Sequence, residues 1–290
     1  MGIRLKFNLV LSVVFLVGLA VTGVISRSLL QQNARGEVVR NAELMMESAL
    51  AIRAYTVNRI KPQLEAQLRV KFLPETVPAF AATETLNKLK DKYPDYAYKE
   101  AVLNPTNPRD RAVDWEADLV QAFRNSANTK ELVGERDSAT GRMLYIAHPI
   151  QIRNTACLVC HSTPEAAPPT MIQLYGTANG FGWKPDEIVG AQIVAVPMSL
   201  PIRNADRAFT TFMSSMMAVF VLAFIVINAM LSWLIIRPIT RMSVAADEVS
   251  TGNFEVPEFA EHGKDEVALL ASSFNRMRRS LEKAMQMIGD

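Results

Sequence analysis

Two stretches of this chain fit no ordinary aqueous core. Residues 7–25 and 208–236 contain no charged side chain. At 1.5 Å per residue the first, about 19 residues, is long enough to cross the hydrocarbon layer as a helix. The second, about 29 residues, crosses with tilt or runs on past the membrane edge. A cleaved signal peptide would also explain the first stretch, but its apolar run is usually shorter, so a retained anchor is expected. Arg4 and Lys6 precede the first stretch and Arg27 follows it; Arg203 and Arg207 precede the second, and Arg237 and Arg241 follow it. This balance orients neither span. With 31 basic and 29 acidic residues the chain is nearly neutral, which argues against a dedicated nucleic-acid binder.

The spans divide the chain into an N-terminal helix (1–27), an intervening domain (28–207), a second membrane helix (208–236) and a tail (237–290). The intervening segment has the size of one domain. Residues 28–69 lack glycine except Gly36 and lack proline before Pro62, so a long helix continues from the first span, with Leu44, Met45, Leu50, Ile52 and Val57 as its apolar stripe. Pro74 and Pro78 break the pattern, and a helix is expected over 83–92. Residues 96–103 read as a strand and 115–123 as a helix. Residues 130–136 and 142–152 read as a hairpin around Asp137-Ser138-Ala139-Thr140-Gly141. A glycine-punctuated loop precedes a last strand over 188–200, which runs into the second span. The layout is α+β, with a PAS-like sensor domain as the expected topology.

Cys157-Leu158-Val159-Cys160-His161 is a C-x-x-C-H run, the attachment signature of c-type haem. Two thiols at this spacing reach the vinyl groups of one porphyrin, and the adjacent imidazole serves as proximal ligand. These are the only two cysteines. A redox dithiol or half of a zinc site are the competing readings. Zinc needs two more ligands, and the loop Thr163-Pro164-Glu165-Ala166-Ala167-Pro168-Pro169 that follows is not the helix a thioredoxin-type dithiol opens. One covalent haem is therefore expected. Such haem is attached outside the bacterial cytoplasmic membrane, which would put 28–207 in the periplasm and both chain ends in the cytoplasm.

In the tail, Ile239, Met242, Ala246 and Val249, then Val267, Leu270, Phe274, Met277, Leu281, Ala284 and Ile288, alternate steps of three and four. That is the seam of a coiled coil, here two short helices suited to a parallel homodimeric four-helix bundle. An antiparallel hairpin within one chain is the plainer alternative.

The tail resembles a HAMP domain, on Pro238, Gly252, Phe254, Val256, Asp265-Glu266 and Phe274-Asn275 with Met277. That resemblance implies a homodimeric relay between a membrane helix and a cytoplasmic output. The intervening domain resembles a family of c-haem-binding PAS-like sensor domains of unknown function. Its carrying residues are Val77-Pro78-Ala79-Phe80-Ala81, Tyr98-Lys99-Glu100-Ala101, Leu103-Asn104-Pro105, the C-x-x-C-H run, Tyr175-Gly176, Gly180-Phe181-Gly182-Trp183 and Gly190-Ala191. The resemblance implies a single covalent haem. A relative uses a cysteine of the N-terminal helical region as second axial ligand; this chain has no third cysteine.

The remaining candidates for that ligand are Met45, Met46 and His148, with Met143, Met171 and Met198 behind them, or water. Methionine on a helix is more often core filler. Trp183, Tyr175 and Phe181 are candidate haem-packing aromatics, and Arg142 and Arg153 flank the site. The sequence predicts an inner-membrane haem-c sensor of redox state or a small gas, signalling through HAMP to a separate cytoplasmic partner such as a histidine kinase or chemotaxis protein. The rival is a membrane-tethered electron-transfer cytochrome. No distal acid–base pair is visible, so an enzyme is not expected.

Overall fold

The computed structural model describes residues 2–126, 128–259, 263 and 265–289, with the side chains of Ile288 and Gly289 and all of Asp290 outside the described set. The seam position expected at Ile288 therefore lies outside the described residues. Two compact units emerge, Ser26–Phe209 and Met1–Ile25 with Thr210–Asp290.

Helix α1 runs unbroken over Ile3–Tyr55 and is followed by a π-helical turn, Thr56–Ile60, and short turns at Lys61–Gln63 and Glu65–Leu68. Pro62 explains the π turn. It has no N–H for the carbonyl four residues back, and its ring crowds that carbonyl, so the helix widens. Helix α2 spans Pro78–Asn87, starting five residues before the expected position because Pro78 opens a helix at its first position instead of breaking one. Strand β1 is Ala97–Val102 and helix α3 Asp114–Asn125. The hairpin is β2 Leu132–Ser138 and β3 Gly141–Gln151. Helical turn α4, Leu158–His161, carries the second cysteine and the histidine. Helix α5, Pro169–Tyr175, begins at the last residue of the stretch 163–169 expected as loop; again a proline opens it. Strand β4, Ile188–Pro197, ends three residues short of the expected 200 because Ser199 begins helix α6, Ser199–Met230. A second π turn, Leu231–Ile236, precedes Pro238 as the first precedes Pro62. Helices α7, Arg237–Ser250, and α8, Glu266–Gly289, close the chain.

In the Ser26–Phe209 unit the four strands form one antiparallel sheet in the order β1-β4-β3-β2. Central β4 is buried along almost its whole length, which accounts for its apolar composition. On one face Tyr98, Leu144, Ile146, Val194 and Val196 pack beneath Val38, Ala42, Met45, Met46 and Ala49 of α1 and Ala82 and Leu86 of α2. On the other, Ala101, Ala147, Ala191 and Ile193 meet Leu119, Val120 and Phe123 of α3. This is the expected mixed α+β architecture.

In the other unit Phe15 stacks on Phe220 with ring centroids 4.7 Å apart. The helical stretches Ile3–Gln63 and Ser199–Ser250 each contain a window apolar enough to cross a membrane. Helices α7 and α8 share a small core of Ala245, Val249 and Phe274, to which Phe254, Val256 and Phe259 of the connector add. Asn275 fixes the connector with two bonds to the Phe259 backbone, accepting from its N–H at 3.1 Å and donating to its carbonyl at 2.8 Å.

Candidate functional site

The C-x-x-C-H run lies just beyond β3. Asn154 caps a 3-10 turn, Thr155–Cys157, its side-chain oxygen accepting from the Ala156 N–H at 2.8 Å. Helix α4 follows directly. Residues three and four apart on a helical turn share a face, so Cys157, Cys160 and His161 are gathered on one side. Both cysteines are half-buried free thiols. Cys157 and Leu158 pack with Trp183 and Ile150 against Val102, Ile152 and Val189, a third apolar cluster at one end of the sheet. Burial pushes the Cys160 thiol up, against the pull of Lys61.

A loop after α5 clasps this turn. The Gly182 N–H donates to the Ser162 carbonyl at 2.8 Å, and the Trp183 N–H to the His161 carbonyl at 3.1 Å. Trp183 lies flat on the His161 ring, centroids 3.9 Å apart and planes 12° apart. His161 Nδ1 is 2.7 Å from the Gly180 carbonyl oxygen, with the Thr106 hydroxyl at 3.5 Å. A carbonyl only accepts, so Nδ1 carries the proton and Nε2 is left with the lone pair. Burial pushes the imidazole below its usual range, with the Gly180 carbonyl opposing. Gly180 is at φ +86°, and a side-chain carbon there would run into Thr106. Loop conformation and ring orientation are therefore set together.

The other sequence candidates are dispersed. Met45 and Met46 fill the cluster beneath α1, together with Met198, and not the cluster that holds Cys157. Met143 and Met171 are buried as well. His148 Nε2 is 3.0 Å from a Glu131 carboxylate oxygen. Tyr175 meets Phe72 edge to face at 6.0 Å. Arg142 pairs with Glu135 at 2.8 Å, and Arg153 donates to the Gln151 side chain at 2.8 Å. Of the named aromatics, Trp183 is the one stacked on His161.

Tyr98 and Glu100 enter the sequence analysis only as residues of a family resemblance, without a role, and Arg53 and Gln192 do not enter it. Glu100 is a carboxylate on the α1 face of β1, and the Arg53 guanidinium of α1 grips both of its oxygens. The signal was present: Tyr98 and Glu100 are two apart, hence on one strand face, in a run that is otherwise apolar on that face.

Comparison with known proteins follows the same division. A family model described as Tll0287-like matches residues 31–197, and a HAMP domain model matches residues 230–283. "Heme sensor protein HssS" of Staphylococcus aureus strain JH9, and its counterpart in strain Newman, are each 31% identical over 94 residues, 32% of this chain. The chain spans 20% of the length of these curated relatives. The crystal structure of the cyanobacterial heme-protein Tll0287 aligns over 56% of this chain and 95% of its own, at 13% identity and a TM-score of 0.43.

Proposed function

Since this chain belongs to the Tll0287-like family and carries a HAMP domain after that region, we propose that it is a membrane-anchored sensor that binds one haem covalently at Cys157, Cys160 and His161. The observation carrying this reading is the 2.7 Å bond from His161 Nδ1 to the Gly180 carbonyl. It presents Nε2 as a donor beside two thiols on one helical turn, and a histidine that ligates a metal is commonly oriented through its other nitrogen in this way. The name of the heme sensor HssS agrees with the choice of cofactor.

The residues suit the group. Each thiol S–H would add across one vinyl double bond, sulfur to one carbon and hydrogen to the other. Val102, Ile150, Ile152, Leu158 and Val189 offer apolar surface beside the thiols. Trp183 limits tilting of the His161 ring. Bound there, haem supplies an iron that changes oxidation state or accepts a small axial ligand. Met45, Met46 and His148 are the chain's own candidates for the second axial position. Each is engaged elsewhere, the methionines in core packing and His148 with Glu131, which supports the reading that water or a small gas, and none of these side chains, would be the second partner of the iron.

In this reading 28–207 is periplasmic, 1–27 and 208–236 span the inner membrane, and 237–290 is cytoplasmic. Leu270, Met277 and Leu281 of α8 are exposed, and a second copy would cover them in a homodimeric bundle that signals to a separate cytoplasmic partner. No catalytic role is assigned.

The test is the purified full chain, produced with c-type haem attachment machinery. A c-type absorption spectrum and haem that stays with the chain on a denaturing gel are expected, with covalent haem lost in Cys157→Ala and Cys160→Ala. Absence of any haem spectrum would overturn the proposal. A reduced spectrum altered by carbon monoxide indicates gas or redox sensing through an open site; an unaltered one indicates a firmly held second ligand and redox sensing.

A further inference from the structure

Glu100 is a costly residue in its position. Its side chain is 4% exposed, and an unpaired buried charge is strongly destabilising. It is held by Arg53 and by the Tyr98 hydroxyl, which donates at 2.8 Å. Gln192 donates in turn to the Tyr98 oxygen at 3.4 Å. Burial, with Glu100 beside it, pushes the Tyr98 phenol far up, so it remains a donor. Burial also works against the Arg53 charge, but Glu100 outweighs it and holds the guanidinium above its ordinary value. Strand register sets Glu100 opposite Gln192 and Gln192 opposite His148, which closes on Glu131. A polar row thus crosses three strands.

The position of that row is informative. On one side lies the apolar cluster under α1. On the other, Val102, two residues beyond Glu100 on the same strand face, belongs to the cluster holding Cys157 and Trp183. Arg53 itself stands in the last turn of α1, the helix that continues without a break back to Ile3.

We propose that Arg53 and Glu100 are the electrostatic link between the Cys157–His161 site and helix α1: a positioning pair that sets the electron affinity of the group bound there and responds when its charge changes. This rests on the haem reading above. A buried charge pair in a low-dielectric interior acts strongly on a neighbouring charge. The coupling is reciprocal: whatever Arg53 contributes to holding an electron at the site, the electron returns as a change in the hold of Glu100 on Arg53. An electron taken up there from a one-electron donor would draw Arg53 towards the site and repel Glu100, loosening the bond between α1 and the sheet. A pair that merely ties helix to sheet would lack this sign.

The experiment is a spectroelectrochemical titration of the haem-loaded full chain in detergent, with Arg53→Gln, Glu100→Gln, Arg53→Lys and the double glutamine variant. Removing the cation lowers the midpoint potential, removing the anion raises it, the double variant lies between, and Arg53→Lys stays nearer to the parent than Arg53→Gln does. Shifts of the same sign, or none, in the two single variants would overturn the link and leave a structural tie. If Arg53→Gln does not fold, Glu100→Gln and Arg53→Lys decide the sign. Hydrogen exchange supplies a second readout: residues 46–55 exchange faster in the reduced than in the oxidised chain, and Glu100→Gln abolishes the difference. Equal exchange in both states of the parent also overturns the proposal. A parent chain with no haem spectrum defeats the site reading itself, whereas bound haem with unmoved potentials defeats only the link.

Discussion

At the scale of single residues, the site depends on groups that never touch the thiols. Gly180 is the clearest. Its φ of +86° and its approach to Thr106 leave no room for a methyl group, and its carbonyl is what orients His161. Gly180→Ala is expected to lower stability by about 1–3 kcal/mol and to broaden the His161 ring resonances in the same chain. Sharp, unmoved resonances would separate the loop from the ring. Met46, only 1% exposed, gives a contrasting case. Met46→Ala opens a cavity under α1 and is expected to cost about 2–4 kcal/mol in unfolding; a change in the haem spectrum as well would assign it to the iron. Asp110 tests the electrostatics. Burial raises its carboxyl to about 6, against the pull of Arg109, so ionisation is disfavoured in the folded state. The stability it contributes is fully present below its unfolded value near 3.9 and is lost as pH rises through about 6. Asp110→Asn is therefore expected to flatten thermal stability across pH 4–6, and an unchanged slope would show that Asp110 is not its source.

At the scale of elements, the patterns that sequence makes legible are those carried by side-chain period and turn chemistry. The hairpin and strand β1 follow from alternation bounded by turn residues, β4 from a nearly continuous apolar run, and α3 from its amphipathic run, sealed by the bond from the Val113 N–H to the Glu116 carboxylate at 2.9 Å. Two of the misplaced elements share one cause. Pro78 reads as a break and Pro169 as loop, yet each opens a helix, because the missing N–H is no loss in a first turn. The two π turns arise from the same residue type inside a helix and leave no mark in hydrophobic period. The motif of the site was plain in sequence, but its supports were not. The bond from His161 to the Gly180 carbonyl and the reach of Arg53 to Glu100 join residues 19 and 47 positions apart, and only the fold brings them together. Pro62→Ala tests the origin of the first π turn. With an N–H restored at position 62, a regular helix through 56–60 is expected, turning the residues beyond it by about 100°. The bond from Thr170 to the Leu68 carbonyl at 3.3 Å should be lost, read as faster exchange over 65–70; unchanged exchange would place the cause outside Pro62.

At the scale of the whole molecule, the haem site proposed for one unit and a HAMP tail in the other make sense together only if the tail has something to change. Within one chain, α7 and α8 bury Met242, Ala245, Val249, Ala271 and Phe274 but leave Leu270, Met277 and Leu281 exposed. Covering those three side chains in each of two copies is worth roughly 5–9 kcal/mol, given that they are already half covered. Bringing two free chains together costs about 4–15 kcal/mol. The tail by itself is therefore expected to be close to balance, and holding both copies in one membrane raises their effective concentration enough to decide the matter. A near-balanced bundle is also what a signal of a few kcal/mol is able to shift. The full chain in a lipid bilayer is expected to be dimeric, and Leu270→Lys combined with Met277→Lys is expected to convert it to monomers. The haem spectrum should stay unchanged, because both substitutions lie in the other unit. Photo-crosslinking is the appropriate measurement, since an added cysteine would compete with the two thiols of the site. A double variant that crosslinks as well as the parent would move the dimer contact off this face of α8 and take the relay proposed for the tail with it.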